Sequence, residues 1–83
     1  MATKINSIEH LKEISKNGCD CFMLLSGNMR SSKHIWYDED ANQFEIINLI
    51  DGSEQCLSEQ QIMDKDFTNV GDAITKGAFF KDR

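Results

Sequence analysis

The segment Arg30–Tyr37 brings together the side chains best suited to bind a charged ligand. It reads RSSKHIWY, and no acid occurs between Cys21 and Tyr37 although the 83-residue chain has a net charge of −5. Arginine and lysine can neutralise a phosphate, serine can hydrogen-bond to it, and histidine and tryptophan can stack on a base. One hypothesis is a binding module for RNA, a nucleotide or another phosphorylated ligand, formed by Arg30, Ser32, Lys33, His34 and Trp36. The alternative, which we favour, is a hairpin strand with a core tryptophan and with its bases paired to nearby acids.

The acids are concentrated after this segment, and they suggest a different kind of partner. Between Asp38 and Asp66 the single base is Lys65. Such a composition disfavours a general nucleic-acid binder, which would carry a basic patch. It is typical of solvated surface, and in some proteins it is a recognition surface for a basic partner. The predicted acidic partner surface comprises Asp38, Glu39, Asp40, Glu45, Asp51 and Glu54.

The three cysteines raise the question of a metal site. Cys19 and Cys21, with Cys56 and either His10 or His34, have the ligand types that zinc prefers. A structural zinc site usually shows two paired motifs, however, and the second pair is missing. We therefore expect small core cysteines with free thiols, and the spacing of Cys19 and Cys21 along a strand disfavours a disulfide between them.

A calcium site and a catalytic site are also disfavoured. Asp38, Asp40 and Asn42 match the first ligand positions of a calcium loop, but Gln43 stands where glycine is needed and Leu49 where a bidentate glutamate is needed. No glycine-rich elbow or phosphate-cradling loop accompanies the cysteines and histidines. We expect no cofactor, no metal and no catalytic residues, and hence no enzymatic activity.

Local signals predict the elements that would position these residues. A helix at Ile8–Lys16 begins after Ser7, a good N-cap, and Gly18 follows its end. The run CDCFMLLSG predicts a buried strand, Gly27-Asn28 a hairpin turn, and Arg30–Tyr37 the returning strand.

The second half of the chain predicts further strands and then helices. Strands are expected at Gln43–Ile50 and at about Glu54–Leu57, separated by the Asp51-Gly52 turn. The stretch from Ser58 to Gln61 matches a capping box, and a last short helix runs from Thr68 to Gly77. The predicted fold is one α+β domain, residues 1–83, with an N-terminal helix, a three- to four-stranded antiparallel β-meander and two short C-terminal helices.

The strand pattern and the composition suggest location and association. Neither Arg30–Tyr37 nor Gln43–Ile50 has a clearly polar face, which favours a homodimer or a protein-binding surface. No signal peptide or membrane span is evident, and the cysteine content suits a reducing compartment. We expect a cytoplasmic protein with a protein partner and without a membrane partner; the composition disfavours a nucleic-acid partner, which stays the alternative.

Four segments together are similar to small bacterial proteins of unassigned function that occur on phage, plasmid or integrative-element DNA. They are CFMLLSG, RSSKHIWYDED, FEIINLIDGSEQCLSEQQIMD and TNVGDAITKGAFF, which cover most of the chain. The resemblance brings no catalytic residues with it. It implies a non-enzymatic inhibitor or adaptor that acts on a host nucleic-acid-handling or defence protein.

Overall fold

The structure, a computed structural model, describes residues 2–24, 29–64 and 70–82. Within them six strands and three helices form a sheet with a helical layer. In chain order they are β1 (Thr3–Ile5), α1 (Ile8–Ser15), β2 (Cys19–Leu24), β3 (Arg30–Asp38), β4 (Gln43–Asn48), β5 (Glu54–Ser58), α2 (Glu59–Met63), α3 (Val70–Thr75) and β6 (Phe79–Lys81). The sheet has the order β1-β6-β2-β3-β4-β5, and all paired neighbours are antiparallel.

The predicted fold was wrong about the sheet, which is not a three- to four-stranded meander. The strand β1 precedes the first helix, and β6 follows the last helix and lies between β1 and β2. Each of these two strands has three residues. A segment that short cannot display the alternation by which strands are recognised in a sequence. The predicted class, an α+β protein with an antiparallel sheet, is confirmed, but more residues belong to strands than to helices.

The helices begin where local hydrogen bonding favours them. The Ser7 hydroxyl accepts a hydrogen bond from the His10 N–H at 3.2 Å, and α1 ends one residue before the predicted Lys16. The Ser58 hydroxyl and the Gln61 side chain form the predicted capping box at α2. The predicted start of the last helix at Thr68 lies outside the described residues, as does the Gly27-Asn28 turn.

One face of the sheet is covered by the three helices, and we call it the helix face. Alternate strand residues point towards it and join the helices in a single core. The sheet contributes Ile5, Cys19, Cys21, Met23, Ile35, Tyr37, Phe44, Ile46, Leu57 and Phe79, and the helices contribute Ile8, Leu11, Ile62, Val70, Ala73 and Ile74. The longest of these helices has eight residues, so within the described residues no helix could cross a membrane.

The intervening strand residues form the opposite face of the sheet, which we call the open face. No helix of the described chain packs on it, since the buried apolar side chains of the helices all belong to the core on the other side. The open face comprises Lys4, Asp20, Phe22, Leu24, Arg30, Ser32, His34, Trp36, Asp38, Gln43, Glu45, Ile47, Glu54, Cys56, Ser58 and Phe80. Among the described residues, the helices therefore cover one side of the sheet and leave the other side without a helix.

Candidate functional site

A groove crosses the open face over strands β3, β4 and β5. Trp36 lies opposite Glu45 across the β3–β4 ladder, and His34 lies opposite Ile47 in the next row. On β5 these two rows continue to Cys56 and Glu54. The space between the rows has a volume of about 250 Å³. Its lining, which defines the central groove, consists of His34, Trp36, Glu45, Ile46, Ile47, Glu54, Gln55 and Cys56.

The two rings of the groove are fixed from the β2 side. Gly18 lies next to them, and a Cβ at Gly18 would be 3.0 Å from both Trp36 Cε3 and His34 Nε2. The Nδ1 atom of His34 is 2.7 Å from Oδ1 of Asp20, which holds the imidazole plane. Trp36 nevertheless remains 44% exposed. The missing side chain at Gly18 thus makes room for two rings whose remaining surface borders the groove.

The carboxylates of Glu45 and Glu54 add negative charge to the groove. Both side chains are exposed, and within the described part of the chain neither carboxylate takes part in an ion pair. Glu45 is the direct cross-strand neighbour of Trp36. Glu54 lies one row further along and one strand away from Glu45. The groove therefore combines an exposed indole with two carboxylates that are available for a partner.

Arg30, a predicted ligand residue, already has partners within the chain. Its guanidinium carbon lies 3.8 Å from the ring centroid of Phe22, and its Nη2 donates to Oδ2 of Asp82 at 2.8 Å. Phe22 in turn stacks on Phe80 with a centroid separation of 5.4 Å. Phe22 is consequently buried although it belongs to the open face. Arg30 covers an aromatic pair, and its charge is matched by Asp82.

Lys33, the other predicted cation, points to the opposite side of the sheet. It lies on the helix face between Cys21 and Asn48 and is 7% exposed. Burial lowers the pKa of the Lys33 ammonium below its ordinary value, while the charge of Asp51 acts in the other direction. The structure therefore brings Ser32, His34 and Trp36 together on the open face and places Lys33 away from them.

The six predicted acidic residues divide between the open face and two turns. Asp38, Glu45 and Glu54 belong to the open face, Glu39 and Asp40 to the β3–β4 turn, and Asp51 to the β4–β5 turn.

Several of these acids are engaged locally. The Oδ1 atom of Asp38 accepts a hydrogen bond from the Asp40 N–H at 3.0 Å, and Glu39 pairs with Lys16 at 3.3 Å. The backbone N–H of Ser53 donates to Asp51 at 2.8 Å and lowers the pKa of that carboxyl. Turn formation accounts for the Asp38 and Asp40 pattern that resembled a calcium loop.

The cysteines are divided between the two faces of the sheet. Cys19 and Cys21 are buried on the helix face as free thiols with their Sγ atoms 3.3 Å apart, whereas Cys56 is exposed in the central groove. The hydrogen bond with Cys19, together with burial, raises the pKa of the Cys21 thiol, so it stays protonated. Within residues 2–24, 29–64 and 70–82, no three histidine, cysteine or acidic side chains are grouped to hold a metal ion.

Comparison with known protein families, with curated proteins and with solved structures gives no match to this chain. The open face and its groove are therefore the features from which a function can be inferred. Sequence reasoning had singled out Trp36, His34, Glu45 and Glu54, but in two separate sets. The sequence did not connect Ile47 or the supporting Gly18 with a site, and it offered Cys56 only as a possible zinc ligand. The alternation along β4 places Glu45 and Ile47 on one face. Their position beside Trp36 and His34 depends on the register between β3 and β4, which neither strand determines by itself.

Proposed function

We propose that this protein is a non-enzymatic interaction module that binds a basic surface of a partner protein through its open face. The observation that supports the proposal is a sheet face that no helix of the described residues covers, on which an exposed tryptophan lies beside carboxylates without an ion pair in that part of the chain. Exposed apolar surface with a charged border is typical of protein-interaction sites. The partner class we propose is a cytoplasmic host protein that handles nucleic acid or acts in defence, with this protein as its inhibitor or adaptor. That part rests on the resemblance to small proteins of mobile elements.

The charges of the open face favour a basic partner over an anionic ligand. Its acids are Asp20, Asp38, Glu45 and Glu54, and its bases are Lys4 and Arg30, with His34 bound to Asp20. Arg30 is already paired with Asp82, and Lys33 lies on the helix face. A phosphate placed on Trp36 would meet the carboxylate of Glu45 rather than a cation. This arrangement weighs against the RNA- or nucleotide-binding alternative.

The same charges weigh against a homodimer formed by two open faces. In a symmetric pair both copies would bring the same face, on which acids outnumber bases, because a twofold interface uses the same surface twice. Like charges at such an interface are unfavourable. A partner with the opposite charge would satisfy Glu45 and Glu54 without that repulsion.

A pull-down from bacterial lysate with charge-reversed variants tests this function. The test variant is Glu45→Lys with Glu54→Lys in the groove, and the control is Glu9→Lys with Glu13→Lys. The control has the same change of net charge, and its two exposed residues lie on α1, on the other side of the sheet. Captured material is identified by mass spectrometry and nucleic-acid staining, with and without nuclease.

We expect the wild type and the control variant to capture a basic protein, and we expect this capture to persist after nuclease treatment. The groove variant should not capture that protein. A partner that both variants retain equally would show that the open face does not bind it. Recovery of nucleic acid, or loss of all partners on nuclease treatment, would contradict the proposal and support the phosphate-binding alternative.

A further inference from the structure

The central groove has the shape and charge of a site for one cationic side chain. We infer that it binds an arginine of the partner, with the guanidinium stacked on Trp36 and paired with Glu45. This inference rests on the proposed function and names the chemical group that the open face recognises. The occupant is thus a basic segment of another protein, not a second copy of this chain and not a nucleotide.

Glu45 lies close enough to Trp36 for one cation to contact both side chains. Direct cross-strand neighbours on one face have their Cβ atoms about 4.5–5.5 Å apart. A cation above the indole is therefore within reach of the Glu45 carboxylate. Tryptophan is the aromatic side chain that binds cations best, and a carboxylate beside it adds a charge-assisted hydrogen bond. Both contacts are available at once because Trp36 is exposed and Glu45 has no ion-pair partner in the described chain.

The rest of the groove matches the remaining parts of an arginine side chain. Ile47 lies diagonally from Trp36, in the same row as His34 and Glu54, and gives the aliphatic stem an apolar floor. Glu54 is the diagonal neighbour of Glu45 on β5, and residues in that relation are usually about 7–8 Å apart. It adds a second negative charge on the β5 side of the groove. The guanidinium group is planar, so it stacks on an aromatic ring and meets a carboxylate with two N–H groups, which an ammonium cannot do.

The size of the groove favours a side chain over a larger ligand. Its volume of about 250 Å³ is below the range of about 300–1,000 Å³ that is typical of pockets for drug-sized ligands. Trp36, Glu45 and Glu54 of its lining are exposed, so a side chain of a partner can reach the groove. A nucleotide would exceed this space and would bring its phosphates to Glu45 and Glu54.

Trp36 is the only tryptophan of the chain, so its fluorescence reports directly on the groove. The probe is the blocked tripeptide acetyl-Gly-Arg-Gly-amide, titrated into the millimolar range. The same peptide with lysine, and with the neutral isostere citrulline, serves for comparison. The variants are Glu45→Gln and Glu54→Gln, which keep the shape of an exposed side chain, with Glu9→Gln on α1 as the control.

We expect a saturable change of Trp36 emission with the arginine peptide, weaker binding of the lysine peptide and no response to citrulline. Removing the Glu45 charge should weaken arginine binding by about three- to fivefold, since exposed ion pairs contribute at that level. Glu54→Gln should have a smaller effect and Glu9→Gln none. Raised salt should weaken binding of the arginine peptide.

A flat arginine titration, or an equal response to citrulline, would overturn the inference. An effect of Glu9→Gln as large as that of Glu45→Gln would overturn it as well, because the charge would then act from a distance. The proposed function fails separately. If the pull-down partner depends on Glu45 and Glu54 but the arginine titration is flat, the open face binds its partner without an arginine site. If the titration succeeds and no partner depends on those residues, the groove binds arginine but the proposed function is wrong.

Discussion

Replacing Gly18 by alanine tests whether the rings of the groove depend on the space that this glycine leaves. The chain offers a matched control in Gly52, because the two φ angles are +81° and +77°. In that left-handed region an L-residue with a side chain costs about 1–2 kcal/mol more than glycine. At Gly52 an added Cβ would have no neighbour within 4 Å, whereas at Gly18 it would lie 3.0 Å from atoms of Trp36 and His34. The two variants therefore share the backbone strain and differ in the displaced rings.

The size of the expected difference follows from the two contacts. Moving a side chain about 30° from its rotamer costs about 0.5–1.5 kcal/mol. Since both rings must shift, the free energy of unfolding should fall by about 1–3 kcal/mol more in Gly18→Ala than in Gly52→Ala. For a domain of 60–100 residues each kcal/mol lowers the Tm by about 4–8 °C. Thermal unfolding followed by circular dichroism measures this difference, and the emission of Trp36 should change in Gly18→Ala alone.

Equal losses of Tm in the two variants, with unchanged Trp36 emission in both, would refute this reasoning. In that case the rings would have room to accept a Cβ at residue 18, and the groove would not depend on Gly18. A larger loss of Tm in Gly52→Ala than in Gly18→Ala would also refute the reasoning, because a Cβ at Gly52 adds backbone strain but contacts no neighbouring atom.

Three further predictions concern the body of the fold. A Cβ at residue 71 would lie 1.7 Å from the backbone oxygen of Ile62, so Gly71→Ala should cost about 2–3 kcal/mol or more in urea unfolding; a loss below about 1 kcal/mol would contradict the close approach of α2 and α3. Ser58→Ala removes the N-cap of α2 and should cost about 0.5–2 kcal/mol in the same assay, and an unchanged midpoint would contradict that role. Lys33→Met should melt no lower than the wild type at pH 7, because burial disfavours the lysine charge and lowers its pKa. As the pH rises towards 10.5, the free energy of unfolding of the wild type should increase relative to that of Lys33→Met, because the unfolded chain still binds the proton that the folded chain has lost. A difference in unfolding free energy that does not change with pH would contradict the lowered pKa of Lys33.

Local signals in the sequence predicted the elements that depend on neighbouring residues. The N-cap at Ser7 and the capping box from Ser58 to Gln61 are confirmed because each is a hydrogen-bond pattern within four residues. The strand predicted to start at Arg30 is also confirmed, and it extends one residue further than predicted, to Asp38. The pairing of β6 with β1 and β2 joins residues from both halves of the chain, and three-residue strands give no pattern that would predict it.

The groove was harder to predict, because it depends on which residues lie opposite one another across strands. Alternation along β3 already placed His34 and Trp36 on one face and Lys33 on the other. The predicted ligand set nevertheless included residues of both faces, which a single ligand cannot contact through the sheet. The neighbours that complete the groove, Glu45 and Glu54, come from β4 and β5. Their register with β3 follows from the assembled sheet and not from any one strand.

The acid-free run from Cys21 to Tyr37 places neither of its two cations in the central groove. Arg30 covers Phe22 and pairs with Asp82, and Lys33 lies under the helices, so neither cation faces the groove. What β3 presents there is an indole and an imidazole, and the charge around them comes from neighbouring strands. Because those strands contribute carboxylates, the aromatic surface lies in a negative field. A ligand that stacks on Trp36 meets that field as well, and this favours a cation over the phosphate that the sequence of β3 alone would suggest.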